Sequence, residues 1–261
     1  MFDYHMHTRV SFDGHDTGIQ MAEAARKAGL KEICFTDHLD YDPLGKMGIL
    51  AFDTDRYRAE YDQLEIPGLK IRRGMEFGMT VDNRELFRKD LQRYPFDFVI
   101  GSMHFVDGLD IYEPPFWANI TPKEAERRYF EQLVDCVRDH DLFDVLGHIT
   151  YIGKLAANPC RRAIAYADYK EYVDEILKIL VARGKGIEIN TSGVDRCGAY
   201  LPDIDYMRRF KELGGEIVTV GSDAHDESRV GQYCTEACRM VADVFGYVCT
   251  FENRKPIFHK L

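Results

Sequence analysis

Seven short apolar segments recur along this chain of 261 residues, and each ends at a polar residue, in most cases one that can bind a metal. The first segment begins at Met1 and runs into His5-Met6-His7. Residues i and i+2 of a strand point to the same face, so the imidazoles of His5 and His7 would emerge side by side. The other segments end at Asp37-His38, Glu76, His104, His148, Asn190-Thr191-Ser192 and Asp223-Ala224-His225. The repetition predicts strands that carry metal-competent residues at their carboxyl ends.

Helical patterns separate these predicted strands. We expect helices over Thr17–Ala28, Thr54–Leu64, residues 122–140, Asp168–Arg183, Pro202–Leu213 and Asp226–Phe245. Repeated alternation of strand and helix is typical of an α/β architecture with parallel strands. An open doubly wound sheet and a closed barrel both fit, but a barrel gathers its strand ends around one mouth, whereas a wide sheet scatters them. The recurring polar ends therefore favour the barrel.

Two long stretches fall on the same face as the polar strand ends. Residues Asp40–Thr54 and Phe105–Thr121 are expected to be extended loops that wall a pocket, and the residues after Phe245 a short extended tail. No linker rich in Pro, Ser or Gly divides the chain, so one domain over residues 1–261 is the economical interpretation.

Composition excludes several classes of protein. The net charge is −10 and no basic run exceeds two residues, which disfavours binding to long nucleic acid. No apolar stretch approaches the roughly 18 residues of a membrane span, and the N-terminus has no signal-peptide pattern. Seven cysteines without a Cys-x-x-Cys motif are expected to be reduced and mostly packed in the core. These features predict a cytoplasmic protein.

The polar strand ends supply more metal ligands than one ion needs. A catalytic zinc takes three protein ligands and a water, whereas this set contains six histidines and two carboxylates. The set predicts two or three closely spaced divalent metals, with Zn, Mn or Fe as candidates. Such centres activate water and stabilise in-line displacement at phosphorus. The predicted ligands are His5, His7, His38, Glu76, His104, His148, Asp223 and His225.

Ordered motifs across positions 5 to 225 resemble those of the PHP (polymerase and histidinol phosphatase) family, and within it the histidinol-phosphate phosphatase branch. The motifs are His5-Met6-His7-Thr8 with Ser11-Phe12-Asp13-Gly14, Phe35-Thr36-Asp37-His38, Gly74-Met75-Glu76, Gly101-Ser102-Met103-His104, Gly147-His148, Glu188-Ile189-Asn190-Thr191-Ser192-Gly193 and Gly221-Ser222-Asp223-Ala224-His225.

The resemblance implies a distorted seven-stranded (β/α)7 TIM-like barrel that holds three metals. It assigns His5, His7, Glu76 and Asp223 to the first metal. The second metal would share Glu76 and add His104 and His148. The third would take His38, His225 and a residue of the loop after the first strand. Asp13 lies where the pattern expects that residue, and His15, two positions on, is the alternative.

The resemblance also implies a phosphate clamp and a reaction. Arginines from the loops after the fifth and sixth strands contact phosphate in this branch, which indicates Arg196 and Arg161, with Arg162 as the alternative to Arg161. Ser192 is a further candidate for substrate binding. A hydroxide that bridges the first two metals would attack phosphorus. Asp13, His15 or a metal-bound water would protonate the leaving group. The catalytic candidates are Glu76, Asp13, His38 and Asp223.

The implied function is hydrolysis of a small phosphate monoester, L-histidinol phosphate, in histidine biosynthesis. The Asp40–Asp55 loop and the Tyr112–Trp117 stretch would form an acidic, aromatic pocket for its imidazole and amine. Within the same chemistry, the alternative is a phosphoesterase that acts on nucleotides or phosphotyrosine. From a different class, the alternative is a metal-bound module without catalysis. The sequence does not indicate an oligomeric state.

Overall fold

The computed structural model describes residues 1–43, 49–51, 53–155 and 157–261. Within these residues, seven parallel strands form a near-closed barrel in the order β1-β2-β5-β6-β9-β10-β11. Their bounds are β1 Phe2–Asp3, β2 Glu32–Phe35, β5 Lys70–Gly78, β6 Phe98–Ser102, β9 Val145–Leu146, β10 Gly186–Asn190 and β11 Val218–Gly221. This arrangement confirms the predicted seven-stranded barrel.

The first and last barrel strands approach each other directly. The backbone N–H of Tyr4 donates to the carbonyl of Val220 at 2.8 Å, and that of Asp223 donates to the carbonyl of His5 at 2.8 Å. Gly221 is required at this seam, because a Cβ there would lie 2.3 Å from the Cβ of His5. The close approach brings the His5-Met6-His7 segment beside Asp223.

The short strand β3, His38–Tyr41, extends the barrel wall beyond β2. It pairs in parallel with β5, with His38 opposite Glu76, and in antiparallel with β4, Ile49–Ala51. The expected Asp40–Thr54 loop is therefore wrong in part, since residues 40–41 and 49–51 within it are paired strand. Residues 44–48 and 52 of that loop lie outside the described residues. The parallel pairing aligns His38 with the strand that carries Glu76.

Amphipathic helices cover the outside of the barrel and bury one apolar face each. Thr17 caps α1 through a capping box with Gln20, as expected for a Thr at that position. None of the helices in the described part of the chain has the length and apolar character needed to cross a membrane. The helices are α1 Gly18–Lys27, α2 Thr54–Tyr61, α3 Arg84–Asp90, α4 Pro114–Trp117, α5 Pro122–Asp139, α6 Lys170–Ala182, α7 Val194–Cys197, α8 Ile204–Glu212 and α9 Cys234–Phe245.

Three expectations about local structure are wrong. The last helix begins at Cys234, not Asp226, because Gly231 and Tyr233 have φ values of +70° and +60°, which no right-handed helix contains. The Phe105–Thr121 stretch contains a hairpin of β7, Phe105–Val106, and β8, Leu109–Asp110, followed by α4. The tail forms an antiparallel hairpin of β12, Val248–Glu252, and β13, Lys255–His259.

Candidate metal centre

The carboxyl ends of the barrel strands bring all nine predicted metal-ligand residues into one cluster. Among the described residues, the cluster divides into overlapping groups in which one candidate donor atom per residue lies within 4.8 Å of the others. The groups are His5, His7, Glu76 and Asp223; Glu76, His104 and His148; His7, Asp13, His38 and His225; and His38, Asp40 and His104. The first two groups share Glu76, as the sequence pattern predicted.

Glu76 lies at the centre of the cluster and is fully buried. Its Oε1 lies 2.8 Å from Nε2 of His148 and 3.4 Å from Nε2 of His104. Its Oε2 lies 3.1 Å from Nε2 of His5 and 3.4 Å from Nε2 of His7. Nδ1 of His38 also lies 3.2 Å from Oε2. Each carboxylate oxygen therefore faces a different set of imidazoles, which is the arrangement that a carboxylate shared between two cations requires.

Burial and neighbouring carboxylates set the protonation states of the cluster. Burial opposes protonation of His5, His38 and His104, but the adjacent carboxylates outweigh it and raise the pKa of each imidazole, so a cation that binds there displaces their protons. Burial, reinforced by the neighbouring His225 and His38, lowers the pKa of His7 to about 3, so His7 is neutral, as a ligand must be. Burial opposes ionisation of Glu76, but His5 and His38 outweigh it and hold the pKa of that carboxyl well below its ordinary value. A buried carboxylate among imidazoles is a strong ligand for a divalent cation.

Unpartnered polar atoms give an independent test of whether the cluster fits metal ions. Oε2 of Glu76 and Oδ1 of Asp13 are buried and have no hydrogen-bond partner among the described residues. Buried polar atoms are otherwise almost always hydrogen-bonded. The donors are nitrogen and carboxylate oxygen, which suit Zn, Mn and Fe. The residues therefore fit divalent metal ions.

Two further carboxylates hold the imidazoles of the cluster, and we did not predict either role. Oε1 of Glu188 lies 2.6 Å from Nδ1 of His5, and its Oε2 accepts from the backbone N–H of His148 at 2.8 Å. Oδ1 of Asp40 lies 2.8 Å from Nδ1 of His104, and its Oδ2 lies 3.2 Å from Nδ1 of His38. Carboxylates in such positions fix the tautomer and orientation of ligating histidines.

A sequence signal for Asp40 existed. Asp40 follows His38 by two residues on β3, so both side chains leave the same face of the strand. Gly78 leaves room for this carboxylate, since a Cβ at Gly78 would lie 1.8 Å from Oδ1 of Asp40. The glycine and the aspartate are therefore matched across neighbouring strands.

Asp13, and not His15, joins the group around His38 and His225. Oδ2 of Asp13 lies 3.1 Å from Nε2 of His225 and 3.5 Å from Nε2 of His38. Burial opposes ionisation of Asp13, but the adjacent His38 and His225 outweigh it and hold its pKa far below the ordinary value. His15 is exposed and belongs to none of the groups in the described residues.

The predicted phosphate-binding arginines differ in their surroundings. Arg162 donates to Glu126 and to Asp168, each at 2.8 Å, so its guanidinium is used in ion pairs with outer residues. Arg161 and Arg196 are exposed. Burial raises the pKa of the Cys197 thiol, and the nearby cations of Lys154 and Arg161 oppose that rise. Arg161 therefore lies near Cys197, the neighbour of Arg196 in the chain.

Ser192 makes its contacts within the protein. Its hydroxyl donates to Oδ1 of Asn190 at 2.6 Å and accepts from Nζ of Lys154 at 2.7 Å. The same hydroxyl lies 3.2 Å from Oδ2 of Asp223. Ser192 therefore connects the end of β10 to one of the predicted metal ligands.

Tyr151 closes one side of the cluster, and we did not predict it. Its ring stacks on that of His148 at a centroid distance of 4.5 Å and lies 5.6 Å from that of His104. In the predicted aromatic stretch, Tyr112 is 51% exposed, whereas Trp117 is partly buried and donates to the carbonyl of Ile111 at 2.9 Å. Tyr151 therefore supplies an aromatic ring beside the cluster, whereas the Trp117 indole is hydrogen-bonded within its own segment.

Comparisons with known proteins agree with this architecture. A family model described as "PHP domain" matches residues 3–192. A probable histidinol-phosphatase of Clostridium acetobutylicum is 34% identical over 261 residues, which cover 99% of this chain and 96% of that protein. A histidinol-phosphatase of Lactococcus lactis is 29% identical and covers 87% of this chain and 85% of that protein. The chain therefore belongs to the PHP family.

Solved structures show the same fold. The crystal structure of histidinol phosphate phosphatase from Lactococcus lactis, complexed with zinc, L-histidinol and phosphate, superposes with a TM-score of 0.87. The two chains are 28% identical, and the match covers 98% of each. A histidinol phosphatase structure from Listeria monocytogenes, 19% identical with a TM-score of 0.76 over 90% of this chain and 99% of that one, agrees in fold.

Proposed function

We propose that this chain is a metal-dependent phosphatase that hydrolyses L-histidinol phosphate with the help of two or three divalent cations. The observation that carries the proposal is the buried Glu76 carboxylate, whose two oxygens face separate sets of histidines at 2.8–3.4 Å. The Lactococcus relative, whose structure contains zinc, L-histidinol and phosphate, supports the choice of substrate. Each of the seven cysteines lies within the described residues and is free, which supports the proposed cytoplasmic location.

The chain's own residues divide the proposed reaction between them. Divalent cations in such a cluster activate water and neutralise charge on the phosphoryl group. Glu76 belongs both to the group with His5, His7 and Asp223 and to the group with His104 and His148. Asp13 completes the group around His38 and His225. Arginine binds phosphoryl oxygens well because its planar guanidinium can donate to two of them at once. We assign this role to Arg196 and Arg161.

The leaving group requires a surface that accepts an amine and an imidazole. Asp110 lies near His104, and burial raises the pKa of its carboxyl. Tyr151 offers an aromatic ring beside His104, and the exposed Tyr112 follows Asp110 by two residues. A cationic amine is attracted to a carboxylate and to aromatic faces. We propose that these residues select histidinol phosphate over monoesters that lack an amine.

Steady-state kinetics on a panel of phosphate monoesters test the substrate directly. With zinc or manganese present, we expect kcat/KM for L-histidinol phosphate to exceed those for a nucleoside monophosphate, phosphotyrosine and an aryl phosphate by about a hundredfold or more, since a site built for polar groups rejects substrates that lack them. A higher value for a nucleotide or for phosphotyrosine would favour the alternative phosphoesterase. No hydrolysis of any ester would favour a non-catalytic module.

Arg196→Ala is expected to lower kcat/KM by about ten- to a hundredfold without changing the metal content. The change removes a charge-assisted hydrogen bond of roughly 1.5–3 kcal/mol to the phosphoryl group and leaves the ligands intact. Inorganic phosphate should also inhibit the variant less well. Steady-state kinetics with phosphate as inhibitor, together with elemental analysis, measure both effects.

Arg161→Ala should resemble Arg196→Ala, and Arg162→Ala is the matched control. Loss of Arg162 leaves Glu126, which is 1% exposed, without its ionic partner, so the variant should unfold at a lower temperature. Its kcat/KM and phosphate inhibition should stay near those of the parent. If neither Arg196→Ala nor Arg161→Ala changes efficiency or inhibition, the assignment of the phosphate clamp is wrong.

A further inference from the structure

A buried lysine lies inside the metal cluster, and neither the sequence motifs nor the proposed reaction accounts for it. Lys154 ends the 3₁₀ turn Tyr151–Lys154, which follows His148, and it is 8% exposed. Lysine is almost never buried unless it is paired. Among the described residues, its ammonium donates to Oδ2 of Asp223 at 2.6 Å and to Oγ of Ser192 at 2.7 Å. A fixed cation therefore contacts a carboxylate that also faces the donor groups for metal ions.

The two oxygens of Asp223 have separate partners. Oδ1 lies 3.5 Å from Nε2 of His5 and 3.4 Å from Nε2 of His7, so it is the oxygen directed at the first donor group. Oδ2 points away from that group, toward Lys154 and Ser192. Left alone, a carboxylate in this place could rotate and offer both oxygens to one cation.

The backbone of Asp223 is already fixed, so its side chain is what remains to be oriented. Its φ of +57° lies in the left-handed region, where a non-glycine residue persists only when its surroundings hold it. Its N–H donates to the carbonyl of His5 at 2.8 Å. The contacts with Lys154 and Ser192 then determine the rotation of the carboxylate.

We propose that Lys154 is a positioning residue that restricts Asp223 to binding through one oxygen at the first metal site. The proposal rests on the proposed function only in assuming that the cluster binds divalent cations. A lysine in this place has an electrostatic cost, since its positive charge repels the cations that Asp223 helps to bind. Lys154 therefore improves the geometry of the site and weakens its affinity for metal.

Removal of the lysine charge is expected to change metal affinity and turnover in opposite directions, because the charge repels the cations but orients Asp223. In Lys154→Met, the side chain keeps a similar length but loses its charge. The variant should bind zinc about tenfold more tightly or better, since repulsion is removed and the second oxygen of Asp223 is released. At saturating zinc, its kcat should fall by about ten- to a hundredfold, as is typical when a residue that orients a ligand is lost.

The experiment compares zinc affinity and turnover in the full-length chain. Zinc affinity is measured by competition with a chromogenic chelator, and turnover is measured with an aryl phosphate, so the result does not depend on histidinol phosphate being the substrate. Lys154→Arg retains the charge and should keep zinc affinity within about threefold of the parent. Lys170→Met, at an exposed lysine, is the matched control and should change neither quantity.

Tighter zinc binding combined with slower turnover in Lys154→Met supports the proposal. Unchanged or weaker zinc binding in that variant overturns it, since a purely structural lysine would lose affinity and activity together. If the Met variant does not fold, Lys154→Arg decides, because an increase in zinc affinity with the charge retained would contradict the proposal. An inactive parent that still binds zinc would count against the proposed function, and the affinity comparison would still test the role of Lys154.

Discussion

Replacing Glu76 with glutamine is expected to lower kcat/KM by about a thousandfold or more. The amide keeps the size of the side chain but loses its charge and one ligating oxygen, so both donor groups that share Glu76 are damaged at once. Metal centres contribute several kcal/mol of stabilisation to a phosphoryl-transfer transition state, and each tenfold in rate corresponds to about 1.4 kcal/mol. Steady-state kinetics with saturating zinc or manganese, followed by elemental analysis, measure the loss of activity and of bound metal.

Two variants serve as comparisons for Glu76→Gln. Asp13→Asn should cost less, because Asp13 belongs to only one donor group in the described part of the cluster. Glu65→Gln makes the same chemical change at an exposed position and should have no effect. Near-normal turnover of Glu76→Gln with full metal content would show that the shared carboxylate has been misassigned.

Chelation should abolish hydrolysis, and added divalent cation should restore it. The donor cluster contains buried carboxylates and imidazoles, and the serine beside it, Ser11, lies 3.3 Å from Nδ1 of His7 but donates its hydroxyl proton to Asp37 at 3.0 Å, so its oxygen is not activated by the imidazole. Activation of water therefore depends on bound cations. Activity is measured before and after dialysis against EDTA, and after titration with zinc, manganese or iron.

Elemental analysis of the active protein should find clearly more than one metal ion per chain. The overlapping groups contain more donors than one tetrahedral ion can use. Thermal unfolding provides a second measurement, because a cation that binds the folded chain alone raises its unfolding temperature. A fully active preparation without metal would contradict the proposed function.

Eight of the nine candidate ligands could be predicted because each follows an apolar strand segment, whereas Asp13, in the loop after the first strand, was indicated by the family resemblance. Parallel strands in a barrel bring their carboxyl ends together, so positions as distant as His5 and His225 could be placed in one site. The same pattern indicated Glu76 as the shared carboxylate. Lys154, which acts through a neighbour, carries no such signal, because it follows its strand by a 3₁₀ turn and lysine is not a usual metal ligand.

Loop conformation distinguishes the surroundings of the residues between which the sequence left a choice. Asp13 and His15 are two residues apart in one loop, and only its folded path directs Asp13 toward His225. Arg161 and Arg162 are adjacent, and only the packing of outer residues shows that Arg162 is paired with Glu126 and Asp168. Such outcomes depend on contacts between segments far apart in the chain, which no local pattern contains.

The sequence by itself therefore determined the class of fold, the mouth of the barrel as the candidate site, and eight of the nine candidate ligands. It could do so because the apolar pattern along the chain indicates each strand and its direction. Consecutive parallel strands then bring their carboxyl ends to the same end of the barrel. Only the tertiary structure decided which side chains orient those ligands. The roles of Asp40, Glu188 and Lys154 depend on distances of 2.6–2.8 Å to residues of other segments of the chain, and those distances exist only after the barrel has closed.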